Sequence, residues 1–178
     1  DSNSGDTFET FNPYTAQPWA LIPRGNEIDV DRAVEAADLA FNSAEWPALT
    51  ETARGHLIRN FADRITEKSD ELAATEVRDN GKLIAEMSAQ CKYLTQWYYY
   101  YAGLCDKVEG SVIPIDKPGH FNYTVWEPLG VCACIVPWNS PLLLLAWKLA
   151  PLLAAGNTAV IKPSEYTSAS TLEFMKIA

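Results

Sequence analysis

Residues 131–165, VCACIVPWNSPLLLLAWKLAPLLAAGNTAVIKPSE, constrain this chain more than any other stretch. Val131–Val136 reads as an apolar strand and Pro137-Trp138-Asn139 as a polar tip. A helix follows over about Leu142–Ala155, Gly156 supplies its exit, and Thr158–Ile161 is a second apolar strand. A strand, a helix and a strand of this kind form a β-α-β unit, which points to a parallel sheet with helices on its faces. The segment 141–155 is apolar enough to raise the question of a membrane span. It is too short to cross a bilayer, and Lys148 and Pro151 interrupt it, so it reads as a buried helix.

The rest of the chain supplies helices and a ribbon. FNPYTAQPW near the start, with Asn12-Pro13 and Gln17-Pro18, predicts two short extended pieces around a turn. A helix is expected from Asp29 as its cap, with Ala33, Val34, Ala37, Ala40 and Phe41 on one face and Trp46-Pro47 closing it. Thr50 caps a second helix with Ala53, Leu57, Ile58, Phe61 and Ile65 inward. A third restarts at Ser69, carries Leu72, Ala73 and Val77, and leaves at Asn80-Gly81. One long helix is expected over Leu83–Ala102, and its aromatic run Trp97–Tyr101 must be buried on several sides by core or neighbour. The period then changes to two. Ser111–Ile115 and His120–Trp126 flank the turn Asp116-Lys117-Pro118-Gly119, a ribbon that is marginal alone and suited to pairing between subunits. A last helix is expected from about Ser168.

Composition removes several classes of function. A formal charge of −9 with no Lys/Arg cluster argues against a nucleic-acid partner. The four cysteines, Cys91, Cys105, Cys132 and Cys134, form neither a redox C-x-x-C nor a zinc spacing with His56 and His120. They read as free thiols in a reducing compartment, with Cys132 and Cys134 on one face of a strand. No signal peptide is visible, which leaves the cytoplasm as the default and a removed transit peptide as an alternative; no membrane partner is expected. No G-x-G-x-x-G or P-loop glycine pattern occurs, and no Ser/His/Asp set can be argued.

Ligands of open α/β sheets bind beyond the carboxyl ends of the strands. Two such ends carry polar groups. Asn139 follows the first strand, where its amide could donate to an oxyanion or simply start a helix. Lys162 and Glu165 follow the second, three positions apart. Such a pair can hydrogen-bond a vicinal diol such as a ribose, or form a plain surface ion pair.

The combination PWN-x-P-L at 137–142, AWKLAP at 146–151, AGNT at 155–158 and VIKPSE at 160–165 resembles the NAD(P)-dependent aldehyde dehydrogenase superfamily. EPLGV at 127–131, NP-T at 12–15, DNGK at 79–82, YYAGL at 100–104 and IPID at 113–116 extend the likeness over essentially the whole chain. The resemblance implies an α/β fold: the amino-terminal part of the family's fold, an incomplete Rossmann-like parallel sheet with flanking helices and a β-ribbon oligomerisation arm. Residues 1–108 would be the first, mostly helical part of the NAD-binding domain. Residues 109–128 would be the arm, and 129–178 the β-α-β part, with the catalytic domain absent.

It implies oxidation of an aldehyde by a cysteine thiolate, hydride transfer to the nicotinamide, and hydrolysis of the thioester by a glutamate-activated water. Asn139 would be the oxyanion-hole side chain. Val136, Pro137 and Trp138 would line the cofactor crevice, and Lys162 and Glu165 would bind the adenosine ribose. The carboxylate of Glu165 would repel a 2′-phosphate, which favours NAD over NADP. Leu94, Leu143, Leu144 and Trp147 would face the substrate tunnel, where Ser140 departs from the phenylalanine many relatives carry. Asp79, with carbonyls near Thr10 and Phe11, would match a structural monovalent-cation site. The full-length protein would be a homodimer or homotetramer acting on a small-molecule aldehyde. The nucleophilic cysteine and general-base glutamate would lie beyond position 178, so the chain reads as an amino-terminal piece, inactive alone. A short non-catalytic nucleotide-binding or oligomerisation module is the alternative.

Overall fold

The computed structural model describes residues 2–177. Two extended pieces open the chain as expected: β1 (Thr7–Asn12) pairs antiparallel with β2 (Gln17–Pro23), with a register shift between Thr10 and Phe11. The first helix, α1 (Glu27–Asn42), starts two residues before the expected cap. Asn26 accepts from the Asp29 N–H, and Asp29 accepts from the Asn26 N–H, so Asp29 is the third-residue partner of a capping box. The helix ends at Asn42, before Trp46-Pro47. Its expected apolar face is also thinner than read. Ala37 alone is buried and Phe41 is half-buried, while Ala33, Val34 and Ala40 stay exposed.

The centre is built from helices chosen by clear caps. Thr50 caps α2 (Glu51–Glu67) by accepting from the Ala53 N–H, and Gly81, at a φ of 75°, gives α3 (Ser69–Asn80) the left-handed exit its Asn-Gly sequence predicts. Ile58, Ala62 and Ile65 of α2 face the core, but Leu57 is exposed. The single long helix expected next is two: α4 (Ile84–Tyr93) and α5 (Thr95–Leu104), divided at Leu94. The Trp97 N–H there bonds the Leu94 carbonyl, a tight three-residue step.

The aromatic run of α5 is divided by that geometry. Tyr98 enters the core edge-on to Phe61 at 5.4 Å, Trp97 meets Trp147 at 5.6 Å, and Tyr100 stays exposed. α2 and α5 approach closely because Gly55 has no side chain: a Cβ there would lie 2.7 Å from the Ala102 carbonyl oxygen. The β-α-β unit follows as β3 (Val131–Ile135), α6 (Pro141–Ala154) and β4 (Thr158–Lys162), with Val131 opposite Thr158 and Ile135 opposite Lys162 in a parallel register. α7 (Ala169–Met175) packs last, its Phe174 against Phe61. One core joins α2, α3, α4 and α5 to β3, α6 and α7, so the helical part and the β-α-β part share it.

Two features are less regular than expected. The ribbon at 111–126 holds one bridge, Val112 to Tyr123, with two backbone bonds beside it, rather than two full strands. Among the described residues the sheets are two separate pairs, one antiparallel and one parallel. No described helix is long and apolar enough to cross a membrane.

The Gly55 contact makes a paired test. Gly55→Ala should destabilise the protein by about 1–3 kcal/mol, because the new methyl meets backbone that cannot swing away. Gly103→Ala, whose Cβ would meet nothing nearer than 3.8 Å, should be neutral or stabilising by up to about 1 kcal/mol. Denaturant unfolding of both variants checks the contrast.

Candidate functional site

The carboxyl ends of β3 and β4 lie side by side, as the parallel register requires. Side chains alternate along β3. Cys134 and Val136 turn into the core, whereas Ile135 is 65% exposed on the other face, opposite Lys162. Val136 therefore does not present its side chain to a crevice as the sequence reading expected. The period of two assigns that place to its neighbour Ile135, which the reading missed. Pro137 is exposed, and Trp138 is exposed at 56%.

The tip is held from both sides by side chains distant in sequence. Thr167 donates to the Trp138 carbonyl at 3.0 Å, and Asn80 donates to the Asn139 carbonyl at 3.5 Å. Lys82 donates to the Ser140 hydroxyl oxygen at 2.7 Å. Asn139 itself is exposed, and the atom Asn80 holds is its backbone carbonyl, distinct from the side-chain amide with its two N–H donors. Asn80 and Lys82 stand at the turn that ends α3. The sequence marks Asn80-Gly81 as a helix exit, and only the folded chain shows Asn80 and Lys82 reaching the tip.

Two acids of α3 are buried beside this turn. Burial pushes the Glu76 carboxyl up to about 7, against the opposing pull of the Leu142 N–H, the Cys91 thiol and the Lys82 ammonium. One of its oxygens, Oε1, has no hydrogen-bond partner. Asp79 is also raised by burial, although Thr10 donates to one oxygen at 2.9 Å and the Ala169 N–H to the other at 2.8 Å. Thr10, Phe11 and Asp79 do line one hollow, of about 440 Å³, with Asn80, Trp138 and Glu165. Both Asp79 oxygens already accept hydrogen bonds, from Thr10 and from the first N–H of α7, so in this structure the carboxyl serves as a helix cap.

The pair at the end of β4 is well placed for a polar ligand. Lys162 and Glu165 stand 3.7 Å apart with both side chains 63% exposed. Beside the uncovered Ile135 and Trp138 they form an apolar wall with a donor and an acceptor at its edge, which suits a nucleoside. On α6, Leu143 and Leu144 are half-buried and Trp147 is partly open against Trp97. Leu94, expected with them, is completely buried. The break between α4 and α5 turns it into the core, so it reaches no opening. Burial raises the thiols of Cys91, Cys105 and Cys134, which keeps them protonated and poor nucleophiles. Among the described residues no three His, Cys, Asp or Glu side chains converge on a metal position.

Such a β-α-β unit, with an amide at one strand end and an acid–base pair at the next, has the architecture of the open-sheet α/β proteins, whose ligands bind beyond the carboxyl ends of the strands. The family profile described as the Aldehyde dehydrogenase family matches residues 1–178, and the chain belongs to that family. It is 48% identical over 170 residues to the (Z)-2-((N-methylformamido)methylene)-5-hydroxybutyrolactone dehydrogenase of Acinetobacter baylyi, covering 96% of this chain and 35% of that protein. It is 44% identical over 177 residues to the hydroxyisobutyraldehyde dehydrogenase of Mycolicibacterium austroafricanum, covering 99% of this chain and 34% of the relative. Among solved structures, a betaine aldehyde dehydrogenase point mutant from Staphylococcus aureus in complex with NAD+ superposes with a TM-score of 0.95 at 38% identity. That match covers 99% of this chain and 36% of the other. The chain thus spans about a third of the length of these proteins.

Glu76 gives the site a pH signature. Its folded-state value is raised from 4.5, so its stabilising contribution is complete below about 4.5 and is lost as pH rises through about 7. Between about pH 5 and about pH 8 the wild type should lose about 2–3 kcal/mol more stability than Glu76→Gln, which cannot ionise. Denaturant unfolding of both proteins across that range measures the difference.

Proposed function

We propose that the protein to which this chain belongs oxidises an aldehyde to the carboxylic acid with NAD, and that these residues supply the oxyanion donor and the adenosine-ribose contacts. The observation that carries this reading is the exposed Asn139 amide, on a tip held by three side chains, beside the exposed Lys162–Glu165 pair. The net reaction turns aldehyde, water and NAD+ into carboxylic acid, NADH and a proton. NAD, when bound, accepts the hydride. NAD+ in the Staphylococcus aureus relative supports that choice of cofactor.

Each residue has a defined task. Asn139 donates a hydrogen bond to the aldehyde oxygen as a thiolate attacks the carbonyl carbon and negative charge builds on that oxygen. Lys162 donates to the ribose hydroxyls, Glu165 accepts from them, and the charge of Glu165 disfavours a 2′-phosphate. Ile135, Pro137 and Trp138 exclude water from one side of the cofactor, while Leu143, Leu144 and Trp147 wall the approach of the aldehyde. The thiolate is assigned to the part of the protein this chain does not span: burial keeps Cys91, Cys105 and Cys134 protonated, and Cys132 lies toward the Gly130 end of β3, away from the tip.

Aldehyde oxidation by the whole protein, followed through NADH absorbance across a substrate panel, tests the reading. Asn139→Ala should lower kcat by about 10²–10³-fold, a loss of about 2.7–4 kcal/mol of transition-state stabilisation, with the KM for NAD little changed. Glu165→Gln should raise the KM for NAD and narrow the preference over NADP. No NAD-dependent oxidation, or an Asn139→Ala variant as fast as the wild type, would refute it.

The ribbon at 109–128 is proposed as the subunit contact of a homodimer or homotetramer. Its support is exposure: Phe121 and Trp126 each stand 72% exposed, on a ribbon with a single bridge. Replacing Val112 and Val125 together with lysine should shift the whole protein toward smaller assemblies by light scattering. An unchanged mass would count against the ribbon as the contact.

A further inference from the structure

Resting on the proposed reaction, we propose that Lys82 is a positioning residue for Asn139: by hydrogen-bonding Ser140 it fixes the peptide from which the oxyanion amide projects.

Ser140 is the first evidence. It occupies the N-cap position of α6, where a serine hydroxyl ordinarily accepts from the helix backbone, yet it makes no capping bond. Its hydroxyl oxygen is turned instead to Lys82 Nζ at 2.7 Å, and the residue is buried. A local cap has been given up for a contact with a residue 58 positions away.

The geometry of Lys82 is the second. A surface lysine would reach into solvent, but this side chain is only 27% exposed. Its ammonium lies between Ser140 and Glu86, the latter at 3.6 Å, and its charge acts against the burial that raises Glu76. The Lys82 backbone is fixed as well, because its N–H donates to Asn80 Oδ1 at 2.9 Å. Asn80 in turn holds the Asn139 carbonyl. One turn therefore grips Asn139 through its own carbonyl and through the next residue, while Thr167 holds the residue before it.

An oxyanion donor must be right to a few tenths of an ångström, so a tie that fixes the backbone on both sides of it bears on rate rather than on cofactor affinity. The competing description is a surface Lys82–Glu86 pair with no bearing on Asn139.

The test uses the whole enzyme. Lys82→Met and Ser140→Ala should each lower kcat by about tenfold to a hundredfold, with the Kd for NAD within about twofold of wild type. The double variant should be no slower than the slower single variant, because both remove the same bond. Ser140→Thr, which keeps the hydroxyl, should recover most of the rate. In an Asn139→Ala background, Lys82→Met should lower kcat by less than about twofold. Amide exchange over residues 138–144 should rise in Lys82→Met while β3 and β4 stay protected. An unchanged kcat in Lys82→Met, additive losses in the double variant, or the same loss without Asn139 would overturn the proposal. If the wild-type enzyme oxidises no aldehyde, the proposed function fails by itself. Unchanged exchange at 138–144 would then also sink the ordering role of Lys82, and raised exchange would uphold it.

Discussion

The β-α-β unit depends on one buried amide. Asn157 accepts from the Gly130 N–H at 2.9 Å and donates to the Leu152 carbonyl at 3.2 Å. Those two groups are the entry to β3 and the last turn of α6, and Asn157 itself opens β4. A single side chain thus ties the three elements where they meet, and its bond to Gly130 satisfies a backbone N–H that burial would otherwise leave unpaired. Trp46 and Arg54 add bonds to the carbonyls of Gly156 and Ala154 at the same corner. With that end fixed, the register of β3 on β4 is set, and the opposite end of the sheet presents Asn139 and Lys162 together.

Both ends of the unit are tied by polar side chains that reach backbone groups. At the Asn157 end they are Asn157 itself, Trp46 and Arg54. At the ligand end, backbone carbonyls must remain near a surface that exchanges with solvent, and the ties come from α3 and from the segment before α7. Polar ties at both ends leave the core between them apolar and tightly packed, and hydrogen bonds fix direction where packing alone does not. These ties also explain why the α3–α4 turn contains polar residues where a bare helix exit needs only a glycine.

How far the sequence reveals this depends on whether the signal is local. Thr50 as a cap, Gly81 and Gly156 as exits and the apolar runs of β3, α6 and β4 are all local, and each element lies within a residue or two of its expected place. Errors arise where tertiary contacts decide. The division at Leu94 interrupts a pattern that is continuously helical in sequence. The cap of α1 moves to Asn26 because Asp29 is more useful as its reciprocal partner. Val136 and Ile135 exchange roles because an alternating strand has no local mark of which face will be covered. The positions of Asn139, Lys162 and Glu165 at strand ends are legible from pattern, whereas the chemistry proposed for them rests on the family's motifs. The contacts of Lys82 and Asn80 were not legible at all, since they join residues almost sixty positions apart.

The buried acids of α3 follow from the same geometry. Glu76 and Asp79 are three residues apart, hence on one side of the helix, and that side faces the starts of both α6 and α7. Asp79 accepts from the Ala169 N–H at the start of α7, while Glu76 lies near the Leu142 N–H at the start of α6. The amino ends of helices carry partial positive charge, so each acid sits where a negative charge is least unfavourable inside a protein. The two positions are not equally well compensated. Both oxygens of Asp79 have donors, whereas Glu76 keeps one oxygen unpartnered. The nearby Lys82 ammonium offsets part of that deficit from a distance. If Lys82 were withdrawn, Glu76 would lose that offset and the tip would lose its tie to Ser140 together. The charge balance of the interior and the placement of the Asn139 peptide are therefore coupled through one lysine.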